Sequence, residues 1–493
     1  MTRHSIHIAI MLTLTLLLAS CGGSPVSNPQ PTGKLPAIYP DYIGVTIPAG
    51  IAPMNFDLID DDVTCVDVVV KGSKGGELHS NGSCVDFDID EWHALTEQNK
   101  GGVLTFTVCT EKDGKWQQHC DFQMMVSRYS LDEWGLTYRR VAPGYEVYSH
   151  MGLYQRELST FDEYEIIDNN RAPGACVNCH TSNKTNPADF LFHVRGPNGA
   201  TALQHKGKME MLNTKTDETL GFCVYPYWHP SGRYVAFSTN TTRQSFHVVK
   251  DERIEVFDHE SDLQIYDVEK HQLILSPLTK DSLYNETFPA FSPDGKTLYF
   301  CTTLKRPYPR DTKIVRYNLC SISFDAATGN WGDTVDTLLC AERDSASIAF
   351  PRPSYDGKYL MYTLADYGTF PIWHREADLY LLNLQTHETR ALTEVNSDNT
   401  ESFHNWSDNS HWFVFASRRG DGLYTRLYLS CLDDNGKATK PFLLPQRRPR
   451  HFYERMMYSY NVPDFTKTKV DIDSHLTANE ILSEERTAIS VRH

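Results

Sequence analysis

Beyond residue 20 this 493-residue chain has no apolar run long enough to cross a bilayer. It has no Gly-x-Ser-x-Gly elbow, no glycine-rich phosphate loop and no His-Glu-x-x-His pair. Those absences leave the elbow hydrolases, the P-loop NTPases and the zincins without the residues their chemistry needs. Basic charge is also scarce. Against 63 Asp and Glu stand 47 Lys and Arg, a net charge of −16, which argues against binding along a nucleic-acid backbone. A second Cys-x-x-Cys is missing, so a four-cysteine zinc site lacks its other half. What remains is ordinary globular composition, 40% hydrophobic and 22% charged. The length allows two or three domains. Aromatics at 12%, 26 of them Tyr, favour strands, because flat rings pack well on pleated surfaces.

The N-terminus carries export signals. Arg3 precedes an apolar segment, Ile6 to Leu18, too short to span a bilayer. The segment ends "LLLASC", which resembles the bacterial lipobox, so residues 1–20 read as a lipoprotein signal peptide. The resemblance implies lipidation of Cys21 and cleavage before it. Buried acyl chains, at about 0.8 kcal/mol per methylene, would hold the protein on a membrane surface. Residues 21–38, rich in Gly, Ser, Pro and Asn, read as a tether. Gly22 lacks the aspartate that, by family resemblance, retains a lipoprotein at the inner membrane. The expected location is the cell envelope, as an outer-membrane lipoprotein facing the periplasm or the cell surface. Cysteines can pair there. Cys65, Cys84, Cys109 and Cys120 crowd together and are expected to form two disulfides, with three pairings open.

Residues 39–127 alternate short apolar strands with turn signals such as "KGG" and "DGK", and predict a β-sandwich-like module. Residues 128–190 have no clean period and read as a junction. From 191 to 465 a β-propeller of five or six blades is predicted, followed by a tail, 466–493. Four stretches align without gaps: "YPYWHPSGRYVAFST" from Tyr225, "FPAFSPDGKTLYFCT" from Phe288, "FPRPSYDGKYLMYTL" from Phe350 and "FHNWSDNSHWFVFAS" from Phe403. Each joins a short strand through a tight turn to an apolar run covered on both faces. Units of this kind cannot bury both faces alone and close into a ring. The fold class is therefore all-β.

Residues 377–428, with strand, "LT", a Trp-Ser-x-Asn turn, an apolar strand and "SRRG", resemble the repeat of TolB-like propellers. Ser410 departs from the pattern by replacing the turn glycine. The whole layout is similar to Bacteroidetes lipoproteins that combine a lipobox, an N-terminal β module, one Cys-x-x-Cys-His and TolB-type (WD40-like) repeats. This resemblance implies architecture and compartment, not a mechanism.

"ACVNCHTSN" holds Cys176, Cys179 and His180 at the spacing of covalent haem attachment. On that reading the two thiols form thioethers to haem c and His180 binds the iron. His193 is favoured as sixth ligand, ahead of His150, Met151, His205, Met209 and Met211. A local disulfide, a haem-free metal site and free thiols are the alternatives. The functional expectation is a membrane-anchored envelope protein that transfers electrons through its haem and uses the propeller to meet envelope protein partners. Two other readings stay open. One is a scaffold whose cysteines are structural. The other is a propeller enzyme acting on glycans, with His229 or His404 in a metal site. The basic run 446–460 reads as a loop or a docking surface for a partner.

Overall fold

The structure is a computed structural model and describes residues 25–142, 150–246 and 254–493. The signal segment and Cys21 lie outside the described residues. Six four-stranded antiparallel sheets form a six-bladed propeller, with a separate β module on its rim. Among the described residues no helix is long and apolar enough to cross a membrane.

Blades 3 to 6 begin at the four aligned stretches, with innermost strands Cys223–Trp228, Tyr284–Phe291, Ser347–Pro353 and Glu401–Trp406. Two further blades escaped the alignment. Blade 2 opens with Cys176–Asn183 and continues through Asn186–Arg195, Ala200–His205 and Lys208–Asn213. Blade 1 takes Gly135–Val141, Met151–Glu157 and Glu163–Asp168 from the expected junction, and its innermost strand, Ser459–Thr466, from the far end of the chain. That strand runs antiparallel to Gly135–Val141, pairing Gly135 with Thr466 and Val141 with Ser459. The ring is thus closed by non-local hydrogen bonds. The tail adds parallel edges beyond this closure, Thr487–Ala488 on blade 2 and Ser490–Arg492 on blade 3.

All six innermost strands share one irregularity. Cys179, Tyr225, Phe288, Phe350, Phe403 and Val462 each have φ between 49° and 54°. The ladder slips at each of these residues, as between Asn178 and Thr181 or Thr287 and Ala290. This is a β-bulge repeated six times, and it aims one side chain per blade towards the axis. The residue after it is Pro226, Pro289, Pro351 or Pro463 in four blades and His180 or His404 in the others. A proline fits there because the bulge interrupts the ladder.

The turns that follow explain the repeat chemically. Ser292, Ser354 and Ser407 donate to Asp294, Asp356 and Asn409 at 2.6, 2.7 and 2.7 Å. Each serine also accepts from the backbone N–H five residues on, at 3.0 to 3.1 Å. Gly232, Gly295 and Gly357 supply φ near +73° at the turn. Ser410 adopts φ 63° in place of the fourth glycine and also accepts the Asp356 N–H at 3.0 Å.

The N-terminal module is a seven-stranded sheet built on Cys65–Gly72 and Val103–Lys112. Its second layer is the helix Ile89–Gln98 rather than another sheet, and Asp88 caps that helix through the N–H groups of Asp90 and Glu91. Trp92 and Phe106 join a core that continues to Trp412 and Phe465 of the propeller. Polar contacts fix the seam: the Tyr42 hydroxyl donates to Leu443 O at 3.0 Å and Trp412 Nε1 to Tyr129 O at 3.1 Å. The run 446–460 docks within the chain, through a short helix, Pro449–Arg455, and an Arg450–Asp61 pair at 2.7 Å. The eleven described cysteines are unpaired, so the two disulfides expected in this module do not form in this structure.

Candidate functional site

The axis is plugged midway by rings. Tyr225 and Phe288 centroids lie 4.8 Å apart, Phe288 and Phe350 4.2 Å, and Phe350 and Phe403 4.9 Å. Phe370 packs on this ring from above, 5.7 Å from both Phe350 and Phe403. Cys179 and Val462 hold the same place in blades 2 and 1. The plug leaves a polar recess at each end.

At the turn end, a cavity of about 580 Å³, its open mouth included, is lined by Ser182, Trp228, Tyr227, Arg352, Asn405 and Asp464 among others. Asp464 sits in the closing strand and is 2% exposed. Its carboxylate accepts from the Ser182 N–H at 3.0 Å and from Asn405 Nδ2 at 2.7 Å. Burial outweighs these bonds and pushes its pKa up to about 7. Arg352 donates to Pro351 O at 2.9 Å, and its guanidinium lies 5.3 Å from the Tyr227 ring centroid. Asp464 acts on Arg352 electrostatically without a direct salt bridge, and Lys184 stands 6.0 Å from the Tyr355 ring centroid at the mouth. Among the described residues, a chain of net charge −16 therefore keeps two cations without a direct salt bridge in one recess.

At the opposite end, Asp258 is raised to about 6 by burial and accepts from Tyr317 Oη at 3.3 Å and Thr369 Oγ1 at 3.4 Å. A shallower recess of about 310 Å³ opens there beside Arg306 and Tyr308.

The haem motif occupies the innermost strand of blade 2, and this placement does not fit a covalent porphyrin. Cys176 is 4% exposed, and its Sγ accepts from Arg139 at 3.5 Å and Asn178 at 3.4 Å. Cys179 takes the bulge position. The His180 ring is buried 6.0 Å from Phe190, on the face towards blade 1, and burial lowers its pKa to about 4. His193 projects to the other face, 5.7 Å from Phe222. Its neighbours Phe192 and Val194 belong to the blade 1 side and Leu191 to the blade 3 side. Strand alternation therefore sets His180 and His193 on opposite sides of one sheet, where they cannot bind a single iron. The remaining ligand candidates have partners or packing of their own. His205 bonds Asp189 at 2.7 Å, His150 lies 3.1 Å from Asp168, Met151 Sδ accepts from Arg139 at 3.2 Å, and Met211 is buried with Met209 against the same core.

His229 and His404 likewise hold structure. His229 stands where the other turns have serine, accepts the Ser231 N–H at 3.1 Å and donates through Nε2 to Gly295 O at 3.1 Å. His404 Nε2 donates to Met361 O at 3.0 Å. The two lie in different blades, and the structure does not bring them together at one metal. The residues of the turn-end recess were missed in the sequence. Arg352 stands in the aligned repeat where other blades have Tyr227, Ala290 and Asn405, a visible oddity. Asp464 lies in a strand that the alignment did not reach.

No protein-family model matches the chain, and no curated protein matches it. Solved structures resemble its fold. Prolyl oligopeptidase B from Galerina marginata aligns at 12% identity and a TM-score of 0.37, over 60% of this chain and 40% of that one. A DUF4784 family protein from Bacteroides caccae aligns at 8% identity and 0.32, over 86% and 99%. The periplasmic gluconolactonase of Pseudomonas aeruginosa aligns at 10% and 0.31, over 82% and 99%. Across the structures of the fungal peptidase, this chain spans 40% to 55% of its length.

The buried titratable groups give the fold a pH signature. Asp464, Asp258 and Glu286 have folded pKa values of about 7, 6 and 8, above their unfolded values, with burial the first cause in each. Their stabilisation is complete in acid and is lost as pH rises through those values. His180, His193 and His404 are depressed by burial to about 4, 3 and 3, so their stabilisation is present above the unfolded pKa and is lost as pH falls. The two trends cross, and stability is expected to peak near about pH 5 to 6 and to decline by roughly 2 kcal/mol towards pH 9. Chemical denaturation across pH checks this. In Asp464→Asn the decline between pH 6 and 8 is expected to flatten, and an unchanged slope would count against the buried carboxylic acid.

Proposed function

We propose that this chain is a lipid-anchored binding protein of the cell envelope, in which the propeller is the recognition platform and the turn-end recess receives an anionic ligand. The observation that carries the reading is the Arg352 guanidinium, which among the described residues makes no direct salt bridge and lines a recess together with Asp464, a carboxyl whose pKa burial raises to about 7. A recess with preformed cationic donors, whose lining carboxyl is shifted by burial towards its neutral form, recruits an anion at little reorganisation cost. The N-terminal module, joined to the propeller through a common core, stands this body off the membrane and offers a continuous surface to an envelope partner. Lipid on Cys21 supplies the anchor. Electron transfer through haem is not carried forward, because the strand holding Cys176, Cys179 and His180 does not fit the group.

Two measurements test the proposal. The full-length protein is expected in the carbonate-resistant membrane fraction, and Cys21→Ser is expected to release it completely. Retention of the variant on membranes would overturn the anchor. The purified chain is also expected to gain thermal stability with millimolar acetate or sulfate, and Arg352→Met to lose that gain. Equal gains in both proteins would overturn the recess as the anion site.

A further inference from the structure

The turn-end recess carries more than a charge. Resting on the anion-binding reading above, we propose that its ligand class is a sugar acid: a pyranose ring bearing a carboxylate. Three independent features of the cavity converge on that chemistry. First, the Arg352 guanidinium offers a planar pair of donors that matches a carboxylate, with Lys184 as a second cation at the mouth.

Second, the cavity wall holds polar side chains that can meet the hydroxyls of a ligand. Asp464 and Asn405 extend the polar rim, and the Asp464 carboxyl can donate when protonated or accept when ionised.

Third, Tyr227 and Tyr355 present rings to the same space. A pyranose has one face of C–H groups that packs on an aromatic surface, while its edge carries the hydroxyls. A purely inorganic anion would use the cations and leave the rings idle. A neutral sugar would use the rings and the polar rim and leave the cations unmet. A sugar acid uses all of them.

The test is a calorimetric titration of the purified chain with D-glucuronate, beside D-glucose and acetate. Saturable binding of D-glucuronate is expected, at least about tenfold tighter than acetate and D-glucose, since each control lacks one of the recognition elements. Arg352→Met is expected to weaken D-glucuronate at least about tenfold and to leave the thermal midpoint of the free protein nearly unchanged. Because Arg352 is partly buried, Lys184→Met at the exposed mouth serves as a second variant with an expected two- to fivefold loss, roughly the scale of an exposed charge. If acetate binds as tightly as D-glucuronate, the sugar-acid class is overturned while anion binding stands. If D-glucose binds as tightly, the carboxylate requirement is overturned. If none of the three binds, both the class and the anion-binding reading fall.

Discussion

A chain ending at Tyr458 is expected to have no folded propeller. The cut removes Ser459–Thr466, the innermost strand of blade 1, which pairs along its length with Gly135–Val141. Phe465 and Thr466 are wholly buried in that strand, and Tyr460 is 3% exposed. Phe465→Ala alone should cost about 3–5 kcal/mol, a large share of the 5–15 kcal/mol that holds a typical domain together. Losing the whole strand also strips Gly135–Val141 of its ladder and exposes the aromatic plug from the side. The loss is cooperative because a closed ring has no independent blade to fall back on. A chain ending at Glu485 is the matched control. It keeps the closure and loses only the parallel edges on blades 2 and 3, so a shift of a few degrees is expected. Near-UV circular dichroism and gel filtration separate the outcomes. A cooperative thermal transition in the shorter chain would mean that closure is not what completes the fold.

The contrast between these two cuts shows what was legible in the sequence. Blades 3 to 6 declare themselves because the serine–aspartate turn and its glycine recur with the same local chemistry. Ser292, Ser354 and Ser407 make the same bonds in the same order. Blade 2 lacks that turn and passes from Asn183 to Asn186 through Lys184 at φ 54°, so nothing in its residues matches the others. Blade 1 is assembled from segments more than 300 residues apart, and no local pattern can report such a pairing. The expected junction was therefore propeller all along. The module's helix was missed because its apolar residues, Trp92 and Leu95, sit within a run otherwise rich in charge. The recess suffered the same fate as blade 1, since Asp464 belongs to the closing strand.

The bulge also explains why a haem motif was legible where the strand serves another purpose. At the bulge and the position after it the six blades read Cys-His, Tyr-Pro, Phe-Pro, Phe-Pro, Phe-His and Val-Pro. Histidine follows the bulge twice, at His180 and His404, and both rings are buried and depressed in pKa to about 4 and 3. A small or aromatic residue is needed on the axis, and cysteine satisfies this in blade 2. Cys176 fills a buried place beside Arg139. Cys176 and Cys179 thus have local reasons that involve no iron, while His180 is held by packing, with both ring nitrogens lacking a hydrogen-bond partner among the described residues.

From this follows the second large effect, in spectroscopy. The full chain, expressed in a host competent for c-type maturation, is expected to give no covalent haem band in a pyridine haemochrome assay. Thioether formation needs both thiols on one edge of a porphyrin and the imidazole on its iron, yet here the two thiols are held within a paired strand. Cys176 contacts Arg139 and Asn178, and His180 packs on Phe190. A porphyrin could enter only by unpairing Cys176–Asn183 from Asn186–Arg195, which would open the core formed with Phe190, Phe192 and Val194. The positive counterpart is the double variant Cys176→Ala, His180→Pro. Proline already follows the bulge in four blades, so the variant is expected to fold, losing roughly 1–2 kcal/mol for the vacated volume and a few degrees in midpoint. A haem protein treated in this way would lose its chromophore entirely. A haem band that survives denaturing electrophoresis in the wild type and vanishes in Cys176→Ala would sink the argument, and would require that blade 2 be built around the cofactor instead of the strand.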